Sequence, residues 1–206
     1  MHKLQSIARA TEAEIVILKS RFIARLFPIE SEAEAKAKLA EVKSQNRDAR
    51  HNVYAYRLGS VERLSDDGEP SGTAGRPVLE VLRREDLDNI LAVVTRYFGG
   101  ILLGAGGLIR AYAQSVKAGL DAATRICLVP YHEVIVDMEY ALVNLVEHEA
   151  ALCDYAKAST EYATQVRAVY LVPEAGLVAF MFRLKEISAG QIEAQVGHIV
   201  LRAENV

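Results

Sequence analysis

Cysteine is scarce in this chain. Its 206 residues hold two, Cys127 and Cys153, and no CxxC pair. Both stand in apolar stretches, so both are expected to be buried thiols with no metal or redox role. The five histidines are scattered, and no His/Cys group has the spacing of a zinc site. Long apolar runs are missing too: none approaches the roughly 18 residues of a membrane span. The opening segment, MHKLQSIARATEAE, has no apolar core of the kind a secretion signal carries. Repeats and low-complexity segments are absent. These absences lead us to expect a soluble, cytoplasmic protein with no membrane partner.

What is present is ordinary globular composition, 51% hydrophobic and 25% charged, with a small net charge of −3. That small number hides an asymmetry. Up to Val129 there are 19 Lys+Arg against 16 Asp+Glu, a balance of +3; from Pro130 onward there are 5 against 11, a balance of −6. The break at Pro130 suggests two domains, 1–129 and 130–206. A polyanion such as RNA would meet the first, because nonspecific affinity for nucleic acid comes mainly from phosphate neutralisation.

Glycine is concentrated where the rest is organised. Gly99, Gly100, Gly104, Gly106 and Gly107 fall within nine residues. Such a cluster costs backbone entropy, so it answers a need for positive φ or close backbone approach. Asn89 to Phe98 before it reads as a buried strand, and Leu108 to Ala123 after it as a helix. A strand, glycine loop and helix in that order turn free N–H groups and a positive dipole end outward.

Around this stretch the first domain reads as strands at Glu14 to Leu18, Phe22 to Ile29, Asn52 to Leu58 and Val61 to Ser65. Ser31 and Glu34 form a capping box for a helix running to about Gln45. Asp66 to Arg76 is loop, and Pro77 opens a short helix to about Arg84. The second domain reads as a strand at Glu133 to Met138, a helix over Ala141 to Ala156, one or two strands over Thr160 to Val172, a turn at Pro173 to Gly176, a strand at Leu177 to Leu184, and a helix from Ser188 to about Val200. A last strand near Val200 to Ala203 would complete the order of a ferredoxin-like sandwich. The fold class is α+β.

Several motifs carry two readings each. Asp66-Asp67-Gly68-Glu69 gathers three carboxylates, suited to a divalent cation or a general base, or to a solvated Asx turn. Thr73 either orients a ligand or caps the following helix. Arg96, inside a buried strand, needs a partner: Asp67 or Glu69 in a structural pair, or an anionic ligand. Tyr97 either stacks on a base or packs in the core. His51 is either a hydrogen-bonded structural residue or a base, and no nucleophile elbow accompanies it. Gly104-Ala105-Gly106-Gly107 fits neither a Rossmann fingerprint nor a P-loop. Its backbone can still hold a phosphate, with Arg110 one turn on, or it can serve close helix–strand packing. No cofactor is expected.

DDGEPSGTAGRP and VVTRYFGGILLGAGGLIRAY, with Lys19-Ser20-Arg21-Phe22, His51-Asn52 and Tyr54-Ala55-Tyr56, closely resemble the IMPACT/YigZ family. The resemblance covers about residues 14 to 125, and the rest looks like the C-terminal module of the bacterial two-domain members. It implies a first domain folded like the second domain of a small-subunit ribosomal protein, a fold shared with elongation factor G and galactokinase-type kinases. It implies a ferredoxin-like second domain. The glycine loop loosely resembles the phosphate loop of those kinases but lacks its serines. Eukaryotic relatives restrain a translation-initiation kinase and carry an RWD domain, for which this sequence has no place before Glu14.

Two functions follow as expectations. One is a translation-associated binding protein that contacts RNA, the ribosome or a protein factor through the first domain. The other is an enzyme or sensor that holds a small phosphorylated ligand at the glycine loop. The candidate site comprises Arg21, His51, Asp67, Glu69, Thr73, Arg96, Tyr97, Gly99, Gly100, Gly104, Gly106, Gly107 and Arg110.

Overall fold

The structure is a computed structural model and describes residues 4–205. Residues 1–3, the start of the segment read above as lacking a secretion signal, lie outside the described residues. In chain order the elements are β1 Leu4–Ile7, β2 Thr11–Ile17, β3 Ser20–Pro28, α1 Glu32–Gln45, β4 His51–Leu58, β5 Val61–Ser65, α2 Gly75–Arg84, β6 Ile90–Tyr97, α3 Gly104–Asp121, β7 Arg125–Met138, α4 Val143–Leu152, β8 Ala156–Tyr162, β9 Val166–Pro173, α5 Leu177–Ile187 and β10 Glu193–Asn205. The fold is therefore α+β. The chain divides into two compact units, one reaching to Cys127 and the other Leu128–Glu204.

In the first unit the sheet order is β2-β3-β6-β4-β5, and each neighbouring pair is antiparallel. Central β6 is buried along its length because both sheet faces are covered. Side chains alternate between faces along a strand. Ile90, Ala92 and Val94 join Phe22, Ala24, Leu26, Val53 and Ala55 in a core with α2 and α3 residues such as Val78, Leu82, Ala111 and Val116. Leu91 and Val93 face the other way, into a smaller core with Ala35 and Val42 of α1. This parity decides where the polar end of β6 points. Arg96 continues the α2/α3 face, and Thr95 and Tyr97 continue the α1 face.

Local rules account for the elements. The Ser31 hydroxyl accepts the Glu34 N–H at 3.2 Å, as the capping box requires. β2 and β3 are joined by Leu18 and Lys19, both at positive φ, in a tight two-residue turn. Strand β1 carries no alternation long enough to read in the sequence. It is placed by Ile7, fully buried in the main core, and by the Asp88 N–H donating to the Gln5 carbonyl at 2.7 Å.

The second unit has the order β-α-β-β-α-β, and its sheet runs β10-β7-β9-β8, the connectivity of a split βαβ sandwich. Two expectations fail here. Leu177–Ile187 is a helix where a strand was expected over Leu177 to Leu184, and Glu193–Asn205 is a strand where a helix was expected as far as about Val200, only the stretch near Val200 to Ala203 having been expected as strand. Leu177, Phe180, Met181, Leu184 and Ile187 pack on the core at helical spacing. Exposed Val178 and Phe182 fill the gaps between them and hide that period. Ser188 closes a helix instead of opening one: its hydroxyl donates to the Leu184 carbonyl at 2.7 Å and accepts the Ile192 N–H at 3.2 Å. Cys127 is buried as expected, whereas Cys153 is exposed. No helix among the described residues is long and apolar enough to cross a membrane.

Candidate anion-binding cleft

The loop after β5 is wound around Asp66. Its carboxylate accepts the N–H groups of Gly72 at 2.9 Å, Ala74 at 3.1 Å and Gly75 at 2.8 Å. α2 has no local side-chain cap, so Asp66 satisfies its first donors from a distance. Asp67 turns elsewhere, accepting from Lys43 and from the Asn52 N–H, each at 2.7 Å. Burial raises the Asp67 pKa, but the Lys43 and Asn52 hydrogen bonds outweigh it, and the net shift is downward. The Thr73 hydroxyl donates to the Pro70 carbonyl at 2.6 Å. The three carboxylates of Asp66, Asp67 and Glu69 thus face three different sets of donors. Among the described residues they share no common centre.

Glu69 points inward. Its Oε1 accepts from Arg96 at 2.6 Å and from the Tyr112 hydroxyl at 2.7 Å. The Arg96 and Glu69 side chains are only 7% and 3% exposed. Tyr112, wholly buried on α3, has its pKa pushed up by burial and then by Glu69, so it stays a donor. Arg96 also lies against the Phe22 and Phe98 rings, 5.5 and 5.7 Å from their centroids. Its Nε is buried and has no hydrogen-bond partner. His51 pairs in register with Arg96 across β4 and β6. The His51 Nδ1 donates to the Asp67 carbonyl at 2.8 Å, which leaves Nε2 facing Glu69 at 4.0 Å.

Above this network lies a cleft of about 360 Å³, lined by Arg50, His51, Glu69, Arg96, Phe98 and residues 102–105 with Leu108. One wall is the start of α3, which has no side-chain cap. Its first-turn N–H groups and the positive end of its dipole therefore favour an anion. Arg50 stands exposed at the rim with no ion pair or hydrogen bond among the described residues. Two arginines against one carboxylate, plus the helix start, give the cleft a positive balance. The adjoining loop is apolar: Phe98 is 42%, Ile101 41% and Leu102 85% exposed.

Of the residues expected here, His51, Glu69, Arg96 and Gly104 line the cleft, and the rest are placed elsewhere. Arg21 and Tyr97 share the opposite sheet face, stacked 5.4 Å apart, with the Tyr97 hydroxyl on Asn46 at 3.1 Å. Gly99 serves packing, because a Cβ there would sit 2.0 Å from the Lys19 backbone. Gly100 and Gly104 have positive φ. Gly106 and Gly107 belong to the first turn of α3, which starts at Gly104 and not at Leu108. Arg110 lines a separate groove with Ile17, Leu18 and Lys117. Arg50 and Tyr112 are not among the residues expected from the sequence. Adjacency to His51 was a signal for Arg50; Tyr112 was hidden within an apolar helix stripe.

The Impact N-terminal domain family matches residues 18–120. IMPACT family member YvyE of Bacillus subtilis is 38% identical over 202 residues, covering 97% of this chain and 93% of that protein. IMPACT family member YigZ of Escherichia coli is 36% identical, covering 86% of this chain and 89% of that protein. A crystal structure described only as that of a hypothetical protein superposes with a TM-score of 0.72 at 33% identity, covering 96% of this chain and 98% of that one.

Proposed function

Because the chain belongs to the IMPACT family, whose membership suggests a regulatory role, we propose that it is a translation-associated binding protein whose first unit engages RNA at the cleft beside α3. The observation that carries this reading is the convergence of Arg50, Arg96 and the uncapped start of α3 on one concave site. A backbone phosphate sits at the helix start within reach of the arginines. Phe98, exposed beside Arg96, offers a base a stacking face. The positive balance of residues up to Val129 favours the approach of a polyanion, and the acidic remainder does not.

A second reading is a sensor or enzyme for a small phosphorylated ligand, favoured by the volume of the cleft, which lies within the range of small-molecule sites. One experiment separates the two. Anisotropy of a labelled single-stranded RNA of about ten nucleotides should rise on titration with the protein, and affinity should fall steeply with salt. No RNA binding, with thermal stabilisation by one phosphorylated metabolite, would favour the second reading.

A further inference from the structure

We propose that the free edge of β2, together with the groove between β2 and α3, is a docking site for an extended acidic peptide of another protein, added antiparallel as a sixth strand. Apart from Leu103, which lines both, the site shares no lining residue with the cleft above, and it does not depend on it.

β2 ends the sheet order, so among the described residues one side of its backbone has no strand partner. The two-residue turn makes Ile17 and Ser20 a hydrogen-bonded pair, and these alternate with non-bonded pairs along the hairpin. Ile15 and Ile17 therefore spend their backbone groups on β3, while Glu12, Glu14 and Val16 direct theirs outward. Edges are commonly guarded by charge. Here Glu12 and Glu14 are matched by Arg25 and Arg21 on the next strand, at 2.6 and 2.8 Å. The far end of the edge is bare and apolar, with Val16 62% and Leu18 54% exposed.

Beside that edge lie two adjoining depressions, one of about 650 Å³ between the end of β2, α2 and α3 and one of about 540 Å³ between β2 and α3. Ile15, Ile17, Leu103 and Ala111 line their apolar surface. Arg84, Arg110 and Lys117 stand along them with no ion pair among the described residues. Glu85 is already paired with Arg125 at 2.6 Å, and Asp121 marks the opposite end. This charge pattern gives the occupant a polarity. Its acidic residues belong at the Leu18 end and not beside Asp121. Antiparallel to β2, that places them at the peptide's N-terminus, followed by alternating apolar residues.

The test uses the full chain and a fluorescein-labelled peptide of alternating Val and Thr headed by three Glu. It should bind, and heading it with Lys should weaken binding by about tenfold or more. Val16→Pro removes an outward N–H without touching the β2–β3 ladder, and should abolish binding while the melting temperature holds. Lys117→Glu with Arg110→Glu, both exposed, should weaken it too and covers the case in which the proline variant fails to fold. The Glu14 and Val16 amides should gain protection from hydrogen exchange when the peptide is bound. Equal binding of the Glu- and Lys-headed peptides, unchanged binding by the folded variants, or no gain in protection overturns the proposal. Sedimentation as a dimer that Val16→Pro dissolves would assign the edge to a second copy and overturn it as well.

Discussion

The Arg96 guanidinium meets the Glu69 carboxylate at 2.6 Å with almost no solvent on either side chain. Parity puts Arg96 there: it follows Ile90, Ala92 and Val94 on the face that α3 covers. Removing one partner leaves a buried charge uncompensated. Glu69→Leu should therefore cost roughly 3–5 kcal/mol in urea unfolding, and adding Arg96→Leu should restore part of it. A loss under about 1 kcal/mol for Glu69→Leu would mean that Arg96 is solvated in solution.

The glycines divide by what their missing Cβ would meet. Gly99→Ala places an atom 2.0 Å from the Lys19 backbone, so it should prevent folding or sharply lower the melting temperature. Gly106 has only the tip of Arg110 near, at 3.7 Å, within the first turn of α3. Gly106→Ala should be neutral or stabilise by roughly 0.5–1 kcal/mol, because it reduces unfolded-state entropy. Equal effects of the two changes would contradict this assignment.

Asp67 links stability to pH. Its folded pKa is depressed, since the Lys43 and Asn52 bonds outweigh the burial that raises it. Its contribution is thus fully present above the unfolded carboxylate value of about 3.9 and is lost as pH falls through the lower folded value. Lys43→Met should lower stability at neutral pH, and the gap to the parent should narrow below about pH 4. A gap that stays constant down to pH 2 would show that the Lys43 contact contributes nothing through charge.

Much of this was legible in the sequence, for physical reasons that differ by element. β6 announced itself as a β-branched apolar run, and α1 through its capping box. The pairing of Arg96 with Glu69 was one of two open roles, since a buried arginine demands a carboxylate and loop acids were at hand. The face on which Arg96 lies required the register with His51 and Phe22, which only the folded sheet supplies. Tyr97 adjoins Arg96 and Arg21 stands in another of the family-like motifs, yet alternation along β6 and β3 sends both to the other face. The α5 and β10 expectations are exchanged because exposed Val178 and Phe182 blur the helical period, and because Ser188, a residue type that also opens helices, here ends one.

The most direct measurement of the central claim is RNA affinity of Arg50→Ala set beside its stability. Arg50 lines the cleft, is exposed and has no partner within the chain among the described residues, so its removal should leave unfolding unchanged. If the cleft holds phosphate, Arg50→Ala should weaken binding of the short RNA by about 1.5–3 kcal/mol. Arg110→Ala, which alters the separate groove, should leave it nearly as in the parent. Parent-like affinity of Arg50→Ala would contradict the account and reduce the cleft to scaffold.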